Sequence, residues 1–168
     1  MKQDILPEKR DYTAEDARFM ELAIRLSEES VDQGGGPFGA VIVRDGEVVA
    51  TGTNQVVLQN DPTAHAEVSA IRNACRKLGV FDLSGCTVYS SCEPCPMCLS
   101  ALYWARVSRI CYGNTKADAK HIHFDDSFIY DQLDLSHAER SIRCEHFMRD
   151  RASKVFEKWL AKADKVVY

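Results

Sequence analysis

Two short stretches hold residue types that could do chemistry together: Pro62-Thr63-Ala64-His65-Ala66-Glu67 and Ser90-Ser91-Cys92-Glu93-Pro94-Cys95-Pro96-Met97-Cys98. Cys95 and Cys98 are three residues apart, so one turn of chain brings both sulfurs to the same side. Zinc accepts thiolate and imidazole, and His65 would complete a set of three protein ligands. Three ligands leave the fourth tetrahedral position to water, the mark of a catalytic rather than a structural site. Zinc lowers the pKa of such a water from ~15.7 to roughly 7. Glu67 is not needed as a ligand and can move that water's protons, general acid–base work worth about 10²–10⁴-fold in rate. The competing arrangement is a closed structural site with Cys92 as the fourth ligand. Structural cysteine sites normally come as two paired knuckles, and no second knuckle is present. Cys92 is therefore expected as a strand-end thiol beside the site. His121-x-His123, with no cysteine nearby, is expected on a surface loop.

The elements that must position these residues follow from periodicity. Residues 1–12 are polar, contain Pro7 and read as an N-terminal arm. From Thr13, Ala17, Met20, Ala23, Ile24 and Val31 repeat on one helical face, with Thr13 as cap and Glu15 and Asp16 in the first turn. Gly34-Gly35-Gly36-Pro37 ends that helix. Phe38–Arg44 and Glu47–Gly52 flank Asp45-Gly46 as a β-hairpin whose second strand is expected to continue to Leu58. Asn54 lies in this run, where a turn or edge role is the simplest account. Asn60-Asp61-Pro62-Thr63 is expected to open a second helix ending at Gly79, which puts His65 and Glu67 in its first turn. Spacing i, i+2 does not bring two side chains to one helix face. The pair can address one metal only at the mouth of the helix.

Cys86–Ser90 reads as a buried strand and Leu99–Ala105 as the helix after the cysteine pair. Arg109–Gly113 reads as a further strand, Ile142–Phe147 as a last one, and Met148–Ala163 as a helix with Val155, Phe156, Trp159 and Leu160 inward. Strands alternating with helices after a hairpin predict a three-layer α/β/α sandwich with a mixed sheet of about five strands. Ligands of such sheets gather beyond the carboxyl ends of the strands, where both motifs fall.

A chain of 168 residues with 45% hydrophobic and 27% charged residues is expected to form one domain with its own core. Its net charge of −4 argues against an enzyme that tracks long nucleic acid. No segment has the apolar length of a signal core or a membrane span. Seven cysteines, an odd number, fit reduced thiols in the cytoplasm better than a secreted disulfide framework.

His-x-Glu followed by Pro-Cys-x-x-Cys is the signature of zinc nucleobase deaminases. From about Phe19 to Tyr168 the chain resembles the cytidine-deaminase-like superfamily and, within it, the bacterial guanine deaminases. Gly35-Gly36-Pro37-Phe38-Gly39-Ala40-Val41-Ile42-Val43, Asn60–Val68 and Ser91–Cys98 are shared with tRNA adenosine deaminases and plant guanosine deaminases, so they mark the superfamily. Ala101-Leu102-Tyr103-Trp104-Ala105-Arg106, Phe124-Asp125-Asp126-Ser127-Phe128-Ile129-Tyr130 and the terminal Tyr168 resemble the guanine deaminases in particular. The resemblance implies one Zn2+ on His65, Cys95 and Cys98, Glu67 as proton shuttle, and hydrolysis of guanine at C2 to xanthine and ammonia. It implies a purine site made by Phe38, Asn54, Ala66, Trp104, Asp126 and Tyr168. It also implies a homodimer in which the C-terminal segment, about residues 141–168, swaps into the partner. Taken alone, Asp126 would be a helix cap and Tyr168 a frayed terminus. A tRNA-editing or nucleoside deaminase, and a zinc-stabilised binding module without turnover, are the alternatives.

Overall fold

The computed structural model describes residues 12–168; all of the expected arm at residues 1–12 except Tyr12 lies outside the described residues. Helix α1 (Ala14–Asp32) opens on a capping box, with Thr13 Oγ1 accepting from the Asp16 amide and the Asp16 carboxylate accepting from Thr13. Strands β1 (Gly39–Arg44) and β2 (Glu47–Thr53) form the hairpin around Asp45-Gly46, both in the left-handed region that a two-residue turn requires. A single turn, α2 (Val56–Gln59), leads to α3 (Ala66–Leu78), which Gly79 terminates in the left-handed conformation. β3 (Thr87–Cys92), α4 (Pro96–Trp104) and β4 (Arg109–Asn114) form a parallel crossover. Three further helices follow, α5 (Lys116–His121), α6 (Ser127–Asp134) and α7 (Arg149–Leu160).

The sheet has the order β2-β1-β3-β4, with β1 antiparallel to both neighbours and β4 parallel to β3. Alternation along β1 divides the core. Ala40 and Ile42 pack with Val88, Leu102 and the alanines of α3, while Val41 and Val43 pack with Tyr89, Phe19 and Ala23 on the α1 side. The result is the expected three-layer α/β/α sandwich with a mixed sheet.

Four local expectations differ from the structure. Ile142–Phe147 forms no strand, so the sheet has four strands among the described residues, and β4 is its edge. Isolated β-branched residues without an adjacent strand gain no ladder bonds, and Ile142 and Phe147 stay exposed. β2 stops at Thr53 because Asn54 Oδ1 accepts from the Val56 amide and turns the chain into α2. The second helix starts at Ala66, not near Pro62. Asp61 Oδ1 instead accepts from the Thr63 amide and hydroxyl at 2.8 and 2.7 Å, closing a turn before the helix. On α7, Val155, Phe156, Trp159 and Leu160 are exposed rather than inward. No helix among the described residues is long and apolar enough to cross a membrane.

Candidate active site

His65 and Cys95 are the N-cap residues of α3 and α4, both with extended backbone. Serine or asparagine usually fills this position and spends its side chain on the first-turn amides. Neither residue here makes a side-chain cap bond, so both side chains are available to the space between the two helix mouths. The change from extended to helical backbone after His65 explains how Glu67 can share that space despite the i, i+2 spacing. α3 is held there by close packing on β2. A Cβ at Gly52 would collide with the Ala66 carbonyl oxygen and the Ala70 amide, so only glycine admits this approach.

The Cys95 and Cys98 sulfurs each lie 3.5 Å from His65 Nδ1, and the three ligand atoms fall within 4.8 Å of one another. Zn–S bonds of about 2.3 Å and Zn–N bonds of about 2.0–2.1 Å give a tetrahedral edge of roughly 3.5 Å between sulfur and nitrogen. The donor set and its spacing fit zinc. Hydrogen bonds from Cys98 and His65 lower the pKa of Cys95 against the opposing effect of burial, whereas the Cys95 sulfur and burial raise that of Cys98. The bond to Cys95 raises the pKa of His65 against the opposing effect of burial. Cys92 is not part of this cluster. Its buried thiol is pushed up to about 11 by desolvation, and its sulfur donates to the Thr115 carbonyl at 3.7 Å.

Glu67 is 6% exposed, and its Oε1 accepts a hydrogen bond from Ser90 Oγ at 3.1 Å. Desolvation raises its pKa above the ordinary 4.5. His65, Glu67 and Cys95 line one end of a cavity of about 320 Å3, within the size range of small-molecule sites. Phe38, Asn54 and Asp126 also line it. The Phe38 ring meets Phe124 edge-on, with centroids 5.0 Å apart. Asn54 is buried, its amide bonded to the Phe38 carbonyl. Asp126 stands at the N-cap of α6 without making a cap bond. Asp125 Oδ1 accepts from the Ser127 amide instead, and the Asp126 carboxyl faces the cavity with its pKa raised mainly by burial.

Other sequence candidates lie elsewhere. Ala66 is fully buried in the core cluster beneath α3. Trp104 and Tyr168 are 68% and 69% exposed and do not line the cavity of their own chain. Their rings are 6.0 Å apart, and Phe81 lies 6.2 Å from Tyr168. His121 and His123 are exposed and belong to no metal-binding cluster among the described residues.

Glu93, Lys116, Phe124 and Ile129 are among the lining residues that sequence reasoning did not assign to the site. Glu93 Oε2 accepts from the Lys116 amide at 3.0 Å, tying the metal loop to the start of α5. Ile129 stands three residues from Asp126, so helical spacing from that acid could have found it. Phe124 opens the stretch that resembles the guanine deaminases, but its role shows only through its contact with Phe38.

Comparison with known proteins agrees with this geometry. Residues 13–114 match the family model for the cytidine and deoxycytidylate deaminase zinc-binding region. The chain is 48% identical to guanine deaminase of Bacillus subtilis over 151 residues, 89% of this chain and 97% of that protein. It superposes on the crystal structure of that enzyme with a TM-score of 0.88, covering 90% of this chain and 98% of that one. It is 34% identical to the tRNA-specific adenosine deaminase of Aquifex aeolicus, over 86% of this chain and 93% of the relative. With zinc-type ligands on two helix mouths and a matching family model across most of the sheet, the chain belongs to the cytidine and deoxycytidylate deaminase zinc-binding family.

Proposed function

We propose that this protein hydrolyses guanine to xanthine and ammonia. The observation that carries the reading is that His65, Cys95, the buried Glu67, Phe38 with its ring partner Phe124, and Asp126 all line one cavity. The 48% identity to a guanine deaminase across 97% of that enzyme supports the choice of substrate. The net charge of −4 supports a free base over a polyanionic nucleic acid.

Zinc, when held by His65, Cys95 and Cys98, supplies an acidified water as nucleophile at neutral pH. Glu67 would take a proton from the attacking water for the purine ring nitrogen beside C2, and a second for the departing amine. Its raised pKa suits a group that must both accept and return a proton. Water adds at C2, the bond from C2 to the exocyclic amino nitrogen breaks, and ammonia leaves. Asp126 accepts N–H donors from the guanine edge, Asn54 bonds the ring, and Phe38 with Phe124 packs against its face. Ala66 follows His65 and precedes Glu67, and with its side chain buried in the core it would reach the substrate only through its backbone.

We also propose that the enzyme is a cytoplasmic homodimer, each chain one domain whose segment from about residue 141 to 168 exchanges with the partner. The exposed apolar residues of α7 and the strandless segment 142–147 support the exchange, since both need a covering surface. Trp104 and Tyr168 then act on the purine across the dimer. Seven free cysteines support a reducing compartment.

The test is ammonia release from guanine, guanosine, cytosine, adenine and tRNA. Guanine should release ammonia stoichiometrically with xanthine, and the other four should be turned over far more slowly. Preferred release from tRNA or guanosine would overturn the substrate; no release from any of the five would leave a binding module.

A further inference from the structure

Ser90 occupies a position that its strand reserves for apolar side chains. Val88, Ser90 and Cys92 alternate on the face of β3 turned toward α3 and α4, and Val88 is fully buried in the core on that side. Ser90 is only 1% exposed, in a central strand paired with Ala40 of β1 on one side and Tyr112 of β4 on the other. A hydroxyl buried there without a partner would cost stability, whereas alanine or valine would not. Its partner is the Glu67 carboxylate, with Ser90 Oγ donating to Oε1 at 3.1 Å across twenty-three residues of sequence.

We propose that Ser90 is a positioning residue for the proton shuttle, locking the Glu67 carboxylate in one orientation beside the metal site. The role follows from the geometry of that bond: both groups are buried, and the Ser90 hydroxyl reaches the carboxylate from a central strand of the sheet. Ser90 sits on a strand held by ladders on both sides, so its oxygen has a fixed location. A carboxylate anchored through one oxygen loses its rotational freedom, and the other oxygen keeps one direction for proton exchange. Groups held within a fraction of an ångström by a rigid element retain full catalytic benefit, and small displacements are costly in rate.

The inference rests on Glu67 being the shuttle, and Glu67→Ala is the control for that assignment. Retained turnover in Glu67→Ala would refute the shuttle itself, whatever Ser90 does. With that control inactive, Ser90→Ala should lower kcat roughly 10- to 100-fold, the rate equivalent of one hydrogen bond to a charged group. KM for guanine should stay within about twofold, since ground-state binding is untouched. Zinc content should remain at one per chain, and Ser90→Thr, which keeps the hydroxyl, should restore most of kcat. Wild-type kcat in Ser90→Ala would overturn the proposal. So would a loss of kcat that only tracks lost zinc or a lowered Tm. A urea-unfolding cycle on zinc-loaded protein supplies a reading independent of activity. Ser90→Ala should cost clearly less in a Glu67→Ala background than in the wild type, because its partner is already gone. Equal costs in the two backgrounds would refute the coupling.

Discussion

Glu67 is a carboxyl group kept in a nearly dry place, and its burial is tolerable only because hydrogen bonds compensate it. Such a group is more useful to turnover than to stability. Glu67→Ala should therefore reduce deamination by at least about 10²–10⁴-fold, with zinc content unchanged and Tm equal or higher. Parallel measurement of ammonia release, bound metal and thermal unfolding checks all three, and loss of zinc in this variant would count against the shuttle role. The cysteines divide by the same logic. Cys95 and Cys98 point with His65 to one spot, while Cys92 bonds the Thr115 carbonyl and stays protonated. After exhaustive dialysis Cys92→Ser should keep one zinc per chain by elemental analysis, and Cys95→Ser should lose it. A Cys92 variant that binds no metal would revive the closed four-ligand site.

At the scale of elements, one carboxylate fastens the α1 layer to the sheet. Asp16, 7% exposed, accepts from the Tyr89 hydroxyl and the Arg109 guanidinium, both at 2.6 Å, and from Thr13 in the capping box of α1. Arg109, Tyr89 and Thr13 together hold its pKa well below the ordinary 3.8, against the opposing effect of burial. A depressed carboxyl pKa adds stability that is complete above the unfolded value of 3.8 and disappears as pH falls through the lower folded value. Asp16→Asn should thus cost about 1.5–3 kcal/mol at neutral pH. The gap to wild type should narrow only below about pH 4 in urea titrations, and a gap that does not vary with pH would deny the ionic bond its role. The sequence marks one half of this fastening: Thr13 and Asp16 are visible as a cap, whereas Tyr89 and Arg109 lie seventy-three and ninety-three residues away. The site divides in the same manner. Ligand types and spacing identify His65, Cys95 and Cys98 as a cluster because zinc dictates them locally. Phe124 and Glu93 join the cavity only through contacts with Phe38 and α5, which no local pattern encodes. Ile142–Phe147 looks like a strand because β-branched and aromatic residues favour one, but a strand also needs a neighbour, and propensity is silent about neighbours.

Across the whole molecule, the unburied apolar surface is concentrated at the C-terminal end of the chain and around Trp104. Val155, Phe156, Trp159, Leu160, Val166, Val167 and Tyr168 are all exposed on one chain, an arrangement that a soluble protein normally covers. If the segment exchanges, a pocket takes its metal ligands and Glu67 from one chain and Tyr168 from the other. A mixing experiment follows from the two-fold symmetry of such a dimer. A Glu67→Ala chain and a chain lacking Tyr168 should each be nearly inactive as homodimers, the second with an unchanged Tm. Unfolded and refolded together in equal amounts, about half of the dimers are mixed, and each mixed dimer contains one pocket with both Glu67 and the partner's intact C-terminus. Activity should then return to about a quarter of the wild-type value per chain. A Tyr168 that served its own chain's pocket would give no recovery, because no chain in the mixture carries both groups. Full activity in the chain lacking Tyr168 alone would remove this residue from the reaction altogether. Recovery near a quarter, dependent on refolding the two variants together, is the outcome that only an exchanged C-terminus produces.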